Sequence, residues 1–146
     1  MKQRFENKTV LVTGASSGIG EAVARRFSAE GASVVLVSRT ENDLKRVAAD
    51  LPDARTLVQV ADVSDEAAVK AMIAAAIERF ESLDVLVNNA GNFTSGDIAT
   101  TDTPTWREVM GTDLDGVFFG CRAALTPSGK IGRMHYQHRI RVWPSR

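Results

Sequence analysis

The sequence predicts an α/β fold, a doubly wound parallel sheet with helices on both faces. Four short apolar runs rich in β-branched residues are typical of buried strands, and a segment with helical spacing follows each one. Connections this short require parallel neighbours, and right-handed crossovers then give the strand order 3-2-1-4. In such a sheet ligands bind where the order reverses, which here lies between the first and fourth strands.

The strands and the first two helices are predicted from the local pattern of apolar residues. The first helix is predicted over residues 19–30, where apolar residues recur every four positions. Similar spacing predicts the second helix over residues 44–51, and Pro52 ends it. The strands are predicted at Lys8–Gly14, Ala32–Arg39, Arg55–Asp62 and Leu83–Gly91.

The last two helices are predicted from their first residues. Ser64 precedes "DEAAV" and is expected to cap the third helix, with acids in the first turn that suit its positive end. Thr103 is expected to cap the fourth helix, with Pro104 at the first helical position. We expect this fourth helix to run without interruption to about Leu125.

The composition is that of an ordinary soluble domain. The chain has 146 residues, of which 44% are hydrophobic and 25% charged. Its one cysteine, Cys121, cannot form an internal disulfide, which fits a reducing compartment. No apolar run approaches membrane-spanning length, and the start "MKQRFENK" has no apolar signal core. We therefore expect a cytoplasmic protein without membrane contact.

A glycine-rich turn joins the first strand to the first helix. It reads "TGASSGIG", Thr13–Gly20, and its three glycines permit a tight bend and close backbone approach by a pyrophosphate. The helix N-terminus adds unpaired N–H groups and a partial positive charge. The glycines can also serve the turn alone. A phosphate-binding loop of the Walker type is excluded, because neither Lys-Ser nor Lys-Thr follows the last glycine.

This turn, together with "DV" at Asp62–Val63 and "NNAG" at Asn88–Gly91, resembles the classical short-chain dehydrogenase/reductase family. The resemblance covers about Lys8 to Leu125. It implies a Rossmann-like fold, a nicotinamide cofactor, and hydride transfer between that cofactor and a carbonyl or alcohol. The chain would then be the cofactor-binding half of such an enzyme.

The resemblance also implies which residues bind the cofactor. The turn would meet the pyrophosphate and its ribose, Asp62 and Val63 would meet the adenine, and the "NNAG" segment would lie along the adenosine side. The same segment can also tie the sheet together at a strand end. The candidate cofactor-binding residues outside the second strand are Gly14, Ser16, Ser17, Gly18, Ile19, Gly20, Asp62, Val63, Asn89, Ala90 and Gly91.

The end of the second strand bears on which dinucleotide binds. An acid there would bind the ribose 2′-hydroxyl and repel a 2′-phosphate, but the chain has Ser38, Arg39 and Thr40. A guanidinium can meet a phosphate with two parallel hydrogen bonds, and both hydroxyls can donate. We therefore expect NADP(H) in preference to NAD(H). Alternatively, Arg39 is simply a solvated residue at a strand end.

The catalytic residues that the family implies are missing. The family places a lysine four residues after its tyrosine, but Tyr136 is followed at that distance by Ile140. Asp113 occupies the position of the family's asparagine. His135 and His138 have no third ligand type nearby, so no metal site is expected. Neither the catalytic serine nor the Tyr-x-x-x-Lys pair is present.

Residues 126–146 lack period and family likeness, and they carry basic residues but no acid. If the coding sequence is read one base later from Thr126 onward, codons compatible with this chain can encode "PHLVKSGGCIINIASVSGLA". That string contains an apolar strand and a serine at the position where the family has its catalytic serine. We therefore expect residues 1–125 to form a dinucleotide-binding half-domain and residues 126–146 to be a frameshifted or disordered tail. A nucleic-acid arm is the less favoured interpretation of its charge.

Three functions remain open at this point. The first is an NADP-dependent oxidoreductase, inactive as this chain and acting on a small carbonyl or alcohol only in a full-length form. The second is a non-enzymatic dinucleotide-binding or regulatory module. The third is a protein that binds nucleic acid through its tail, which we do not expect. The family resemblance implies a homo-oligomer for the full-length form.

Overall fold

The computed structural model describes residues 3–125 of the chain. Four strands form one parallel sheet in the order β3-β2-β1-β4, which confirms the predicted topology. In register, Leu11 of the central strand faces Val35 on one side and Leu86 on the other. The strands are β1 (Thr9–Thr13), β2 (Ser33–Ser38), β3 (Thr56–Val60) and β4 (Val85–Val87).

The helices alternate with the strands, and a single 3-10 turn at Asp53–Arg55 leads into β3. No helix within residues 3–125 has both the length and the apolar character needed to cross a bilayer. The helices are α1 (Gly18–Ala29), α2 (Glu41–Ala48), α3 (Glu66–Phe80), α4 (Thr103–Met110) and α5 (Gly116–Leu125).

Side chains that alternate along the central strands divide the core into two layers. Val10 and Val12 of β1 point to one face and pack with α1 and α2, whereas Leu11 points to the other and packs with α3 and α5. All three of these β1 side chains are fully buried. Helices therefore cover both faces of the sheet, as predicted, and the strand ends between them are left to form a site.

Two predicted helix caps are wrong by one residue. Asp65, not Ser64, caps α3, and its Oδ1 accepts from the Ala67 and Ala68 N–H groups at 2.8 and 3.4 Å. Ser64 is instead held towards Asp62, because its hydroxyl and its N–H both donate to Asp62 Oδ1.

The α4 cap is likewise Asp102 and not Thr103. The Asp102 carboxylate accepts from the Thr105 N–H at 2.8 Å, and Thr103 becomes the first helical residue, with Pro104 second. In both helices a carboxylate one residue from the predicted cap satisfies the first-turn N–H groups.

The predicted uninterrupted fourth helix is also wrong. A π-helical turn at Gly111–Asp115 separates α4 from α5. Such turns insert a residue into the hydrogen-bond ladder and often occur at functional sites. This one carries Thr112 and Asp113 towards the strand ends. The predictions for Tyr136, the two histidines and the tail concern residues that lie outside the described part of the chain.

Candidate functional site

A cleft of about 490 Å³ opens at the carboxyl ends of the strands, at the point where the strand order reverses. Every residue predicted to bind cofactor lines it except Gly20. The predicted lining residues are Gly14, Ser16, Ser17, Gly18, Ile19, Ser38, Arg39, Thr40, Asp62, Val63, Asn89, Ala90 and Gly91. Motifs separated by about 75 positions in the sequence therefore converge on one site.

Four further residues line the cleft that the sequence did not single out. Val37 and Ala61 directly precede predicted residues, so their strand-end position was the available signal. Asn92 directly follows the "NNAG" segment. Thr112 has no such signal, because the π-helical turn brings it to the cleft and that turn leaves no recognisable pattern in the sequence.

The first glycine of the turn permits close backbone contact. Gly14 has a φ of +66°, which L side chains disfavour, and a Cβ there would lie 2.8 Å from Asn89 Nδ2 and 2.9 Å from Ala90 Cα. The turn therefore presents bare backbone at the end of β1, close to the "NNAG" segment.

Gly20 packs against the glycine-rich turn from the side of α1. A Cβ at this position would lie 2.1 Å from the Gly14 carbonyl oxygen, so Gly20 is pressed against the turn from inside α1. It does not line the cleft. Its small size lets the helix pack closely on the strand end, and this fixes where the N-terminus of α1 points.

The N-terminus of α1 opens onto the cleft without a side-chain cap. Ser17 is the N-cap residue in an extended conformation, and its hydroxyl makes no capping hydrogen bond. Ser17, Gly18 and Ile19 all line the cleft. The first-turn N–H groups therefore combine with the helix dipole at the cleft wall, an arrangement that favours an anion.

The ends of β1 and β4 are tied by one buried hydroxyl. Thr13 is only 2% exposed, and its Oγ1 accepts from the N–H groups of Asn89 and Ala90, both at 3.0 Å. The same hydroxyl donates to the Val87 carbonyl at 3.3 Å. The Asn89 side chain donates back to the carbonyls of Thr13 and Gly14. "NNAG" thus ties the sheet together while it lines the cleft.

Asp62 is a half-buried acid held in the ionised form. Its Oδ1 accepts from the Ser64 hydroxyl at 2.7 Å and from the Ser64 N–H at 2.9 Å. These two hydrogen bonds, together with the charge of Arg39, keep the pKa of Asp62 below its ordinary value despite partial burial. Within residues 3–125 its Oδ2 accepts no hydrogen bond, so one carboxylate oxygen remains available to a donor in the cleft.

The end of β2 carries a cation and no acid into the cleft. The Ser38 hydroxyl accepts from the Thr40 N–H at 3.2 Å, which shapes the turn into α2. Arg39 lines the cleft and is exposed, and its guanidinium makes no hydrogen bond or ion pair within the described residues. This end of the cleft is therefore suited to a negatively charged group.

Asp113 lies beside the cleft, close to Gly91, and holds the loop that follows β4. Its Oδ1 accepts from the Asn92 N–H at 2.8 Å, and the Asn92 side chain donates to the Thr112 hydroxyl at 3.1 Å. Asp113 itself is absent from the cleft lining. Asp113 therefore anchors the loop that follows β4.

No three His, Cys, Asp or Glu side chains between residues 3 and 125 are placed to hold a metal ion. Within this part of the chain the cleft offers backbone N–H groups, hydroxyls, two side-chain amides, one carboxylate and one guanidinium.

Comparisons with known proteins agree with this geometry. The sequence profile of the short chain dehydrogenase family matches residues 8–134, which extends past the predicted limit at Leu125. The meso-2,3-butanediol dehydrogenase of Serratia marcescens is 47% identical over 122 residues, covering 84% of this chain and 49% of that protein. The chain spans about half the length of the curated relatives it matches.

Two crystal structures from Brucella melitensis are also similar. A short-chain dehydrogenase/reductase of the glucose/ribitol dehydrogenase type gives a TM-score of 0.82 at 38% identity, covering 86% of this chain and 53% of its own. A 3-ketoacyl-(acyl-carrier-protein) reductase complexed with NADH gives 0.79 at 37% identity, covering 83% and 50%. A family match over most of the chain, on a fold that these structures share, means that this chain belongs to the short-chain dehydrogenase family.

Proposed function

We propose that this chain is the cofactor-binding part of an NAD(P)-dependent oxidoreductase and that its cleft binds NADP(H) in preference to NAD(H). The observation that carries the proposal is the uncapped N-terminus of α1, which opens onto the cleft beside the bare backbone of Gly14. A dinucleotide pyrophosphate fits this place, because its charge complements the helix dipole and its oxygens accept from the first-turn N–H groups. Ser16 and Ser17 add hydroxyl donors.

Asp62 and Val63 supply the adenine end of the proposed site. The free Oδ2 of Asp62 is suited to accept from an exocyclic amino group. Val63, which is 8% exposed, offers an apolar surface beside it. Asn89, Ala90 and Gly91 also line the cleft, and Thr13 holds the first two in place. The cleft thus has polar and apolar groups where an adenosine needs each.

Arg39 supports the preference for a 2′-phosphate. Its guanidinium is unpaired within residues 3–125 and lies in the cleft close enough to Asp62 to influence that carboxylate. A free guanidinium suits a phosphate better than a hydroxyl, because it matches the phosphate in charge and in hydrogen-bond geometry. The related reductase complexed with NADH indicates that this fold also accepts the dinucleotide without that phosphate.

Bound, the dinucleotide supplies a nicotinamide that donates or accepts hydride. The proton that accompanies a hydride requires an acid of its own, and the one tyrosine of these 146 residues, Tyr136, lacks the lysine that would lower its pKa. We therefore propose that this chain binds cofactor without reducing a carbonyl, and that a full-length form acts on a small carbonyl or alcohol. A purely dinucleotide-binding module is the second candidate, and the same missing pair favours it.

The test is a calorimetric titration of the purified 146-residue chain with NADPH and with NADH. We expect both to bind and NADPH to bind about thirtyfold more tightly, since one added charged hydrogen bond contributes about 2 kcal/mol. Equal affinities would contradict the preference, and no binding by a folded chain would contradict the proposal. Oxidation of NADPH with a carbonyl substrate would contradict the proposed inactivity.

A further inference from the structure

Arg46 links the second helix to the glycine-rich turn. From α2 its Nη2 donates to the Ser16 carbonyl at 2.9 Å, across 30 positions of sequence. The guanidinium is held by Glu21, whose two carboxylate oxygens accept from it at 2.8 and 3.2 Å. Arg46 does not line the cleft, whereas Ser16 does. It therefore contacts the turn from behind.

The contact sets the direction of one peptide group. No peptide bond in residues 3–125 is cis, so the Ser16 carbonyl and the Ser17 N–H point in opposite directions. Because the carbonyl points to Arg46, outside the cleft lining, the N–H points the other way. Within the described residues this N–H donates to no acceptor. It is one of the groups on which the proposed anion site depends.

We propose that Arg46 is a positioning residue for the glycine-rich turn: by holding the Ser16 carbonyl from behind, it fixes the Ser17 N–H towards the cleft for a cofactor pyrophosphate. This inference rests on the proposed function for the identity of the anion. It does not assign Arg46 any contact with the cofactor.

The chain offers a matched control in Arg25. Its guanidinium also donates to Glu21, at 2.9 Å, and to Asp50, at 3.0 Å, but within residues 3–125 it donates no hydrogen bond to the turn. Replacing either arginine by methionine removes one partner of Glu21 and keeps an apolar stem of similar length. Only Arg46→Met also releases Ser16.

The first measurement is amide hydrogen exchange of the segment 13–20 in the chain without added cofactor. We expect Arg46→Met to speed exchange of this segment at least several-fold relative to Arg25→Met, because only the first variant frees the peptide. Equal exchange in the two variants would overturn the inference. This result does not depend on whether the chain binds a dinucleotide.

The second measurement is the affinity of each variant for NADPH and NADH. We expect Arg46→Met to weaken both by the same factor, about tenfold, since the pyrophosphate is common to both and one hydrogen bond is lost. Arg25→Met should stay within about twofold of the original chain, and Arg46→Lys should restore part of the loss. Loss for NADPH alone would overturn the inference, because Arg46 would then act at the 2′-phosphate. Equal loss in both arginine variants would overturn it as well.

The two proposals fail in different ways. A folded chain that binds neither dinucleotide contradicts the proposed function and leaves the exchange result to decide the role of Arg46. A chain that binds both dinucleotides, with unchanged exchange and affinity in Arg46→Met, contradicts only the positioning role.

Discussion

Helices α1 and α3 begin in different ways, although each follows a strand of the same sheet. Asp65 caps α3 with its own carboxylate and satisfies two first-turn N–H groups. Ser17 begins α1 with no such bond, and its turn is shaped by glycines instead. A cap contributes about 1 kcal/mol to stability, and α1 goes without it. The uncapped end lies in the cleft, which is what a site for an external anion requires.

The contrast extends to the first-turn acids. Glu66 of α3 pairs with Lys70 along its own helix and with Arg122 of α5. Glu21 of α1 pairs instead with Arg25 and Arg46, and Arg46 continues to the turn. The acid near the uncapped end thus helps to shape a binding turn, whereas the acid near the capped end joins two helices.

The largest effect is expected from Gly20→Ala. A Cβ there would lie 2.1 Å from the Gly14 carbonyl oxygen, which is backbone and cannot move without shifting the turn. We expect a loss of about 3 kcal/mol or more in the free energy of unfolding, at the upper end of overpacking costs. Urea unfolding followed by circular dichroism measures it.

Gly18→Ala is the matched control for that substitution. Nothing lies within 4 Å of its added Cβ, although its φ of +56° disfavours a side chain. We expect a cost of only about 1 kcal/mol, from backbone strain. If Gly18→Ala destabilised the chain as much as Gly20→Ala, the close packing of α1 on the turn would not be what the glycines serve.

The second largest effect is expected from Arg39→Ala, which tests the proposed 2′-phosphate contact. A charged hydrogen bond contributes about 2 kcal/mol, so NADPH affinity should fall roughly thirtyfold while NADH affinity changes less than about twofold. Arg107 of α4, which lies outside the cleft lining and also makes no ion pair within residues 3–125, is the control. Equal losses for both dinucleotides would show that Arg39 acts on something other than the phosphate.

Smaller effects, one on stability and one on cofactor binding, are expected from substitutions at the N-cap residues of α3 and α1. Asp65→Ala should destabilise the chain by about 1 kcal/mol and leave cofactor affinity unchanged, because among the described residues its carboxylate accepts hydrogen bonds from α3 alone. Because the Ser17 hydroxyl makes no cap bond, Ser17→Ala should leave the free energy of unfolding nearly unchanged. It should weaken cofactor binding, because the proposed pyrophosphate site loses one hydroxyl donor. Thermal unfolding and calorimetric titration of both variants measure this. A stability loss in Ser17→Ala equal to that in Asp65→Ala would remove the contrast.

Most of the fold could be predicted because its signals are local and repeated. Continuous apolar runs in β1 and β2, which are buried on both faces of the sheet, and apolar spacing in the helices determine the layers, and crossover rules then determine the strand order. The π-helical turn at Gly111–Asp115 could not be predicted, because a change in hydrogen-bond register leaves the apolar pattern intact. The α3 cap was predicted one residue too early, because Ser64 is held by hydrogen bonds to Asp62. Which of these neighbouring side chains pair with each other cannot be read from the sequence.

The features of the site likewise fall into those that the sequence predicts and those that it does not. The lining residues within motifs could be located from sequence, because parallel strand ends must meet at one edge. The close packing of Gly20 on the Gly14 carbonyl could not be predicted, because a motif position does not distinguish backbone that faces a ligand from backbone that faces a strand. The contact of Arg46 with Ser16 and that of Asp113 with Asn92 join distant segments through single hydrogen bonds, and no composition or spacing predicts them.

The smallest expected effect concerns the pH dependence of Glu21. Hydrogen bonds from Arg46 and then Arg25 lower the pKa of its carboxyl to about 2. Because the folded-state pKa lies below the unfolded value, the stabilisation is fully present above about pH 5 and is lost as pH falls towards 2. The difference in urea midpoint between the original chain and Glu21→Gln should therefore be constant from pH 5 to 8 and shrink below that range. Glu41, whose one ion pair within residues 3–125 is with Lys45 along α2, is the control, and its Gln variant should show a smaller difference at every pH. A Glu21→Gln difference that grew on acidification would mean that Glu21 is protonated more readily in the folded chain, and the ion pair behind the uncapped end of α1 would not be holding the turn.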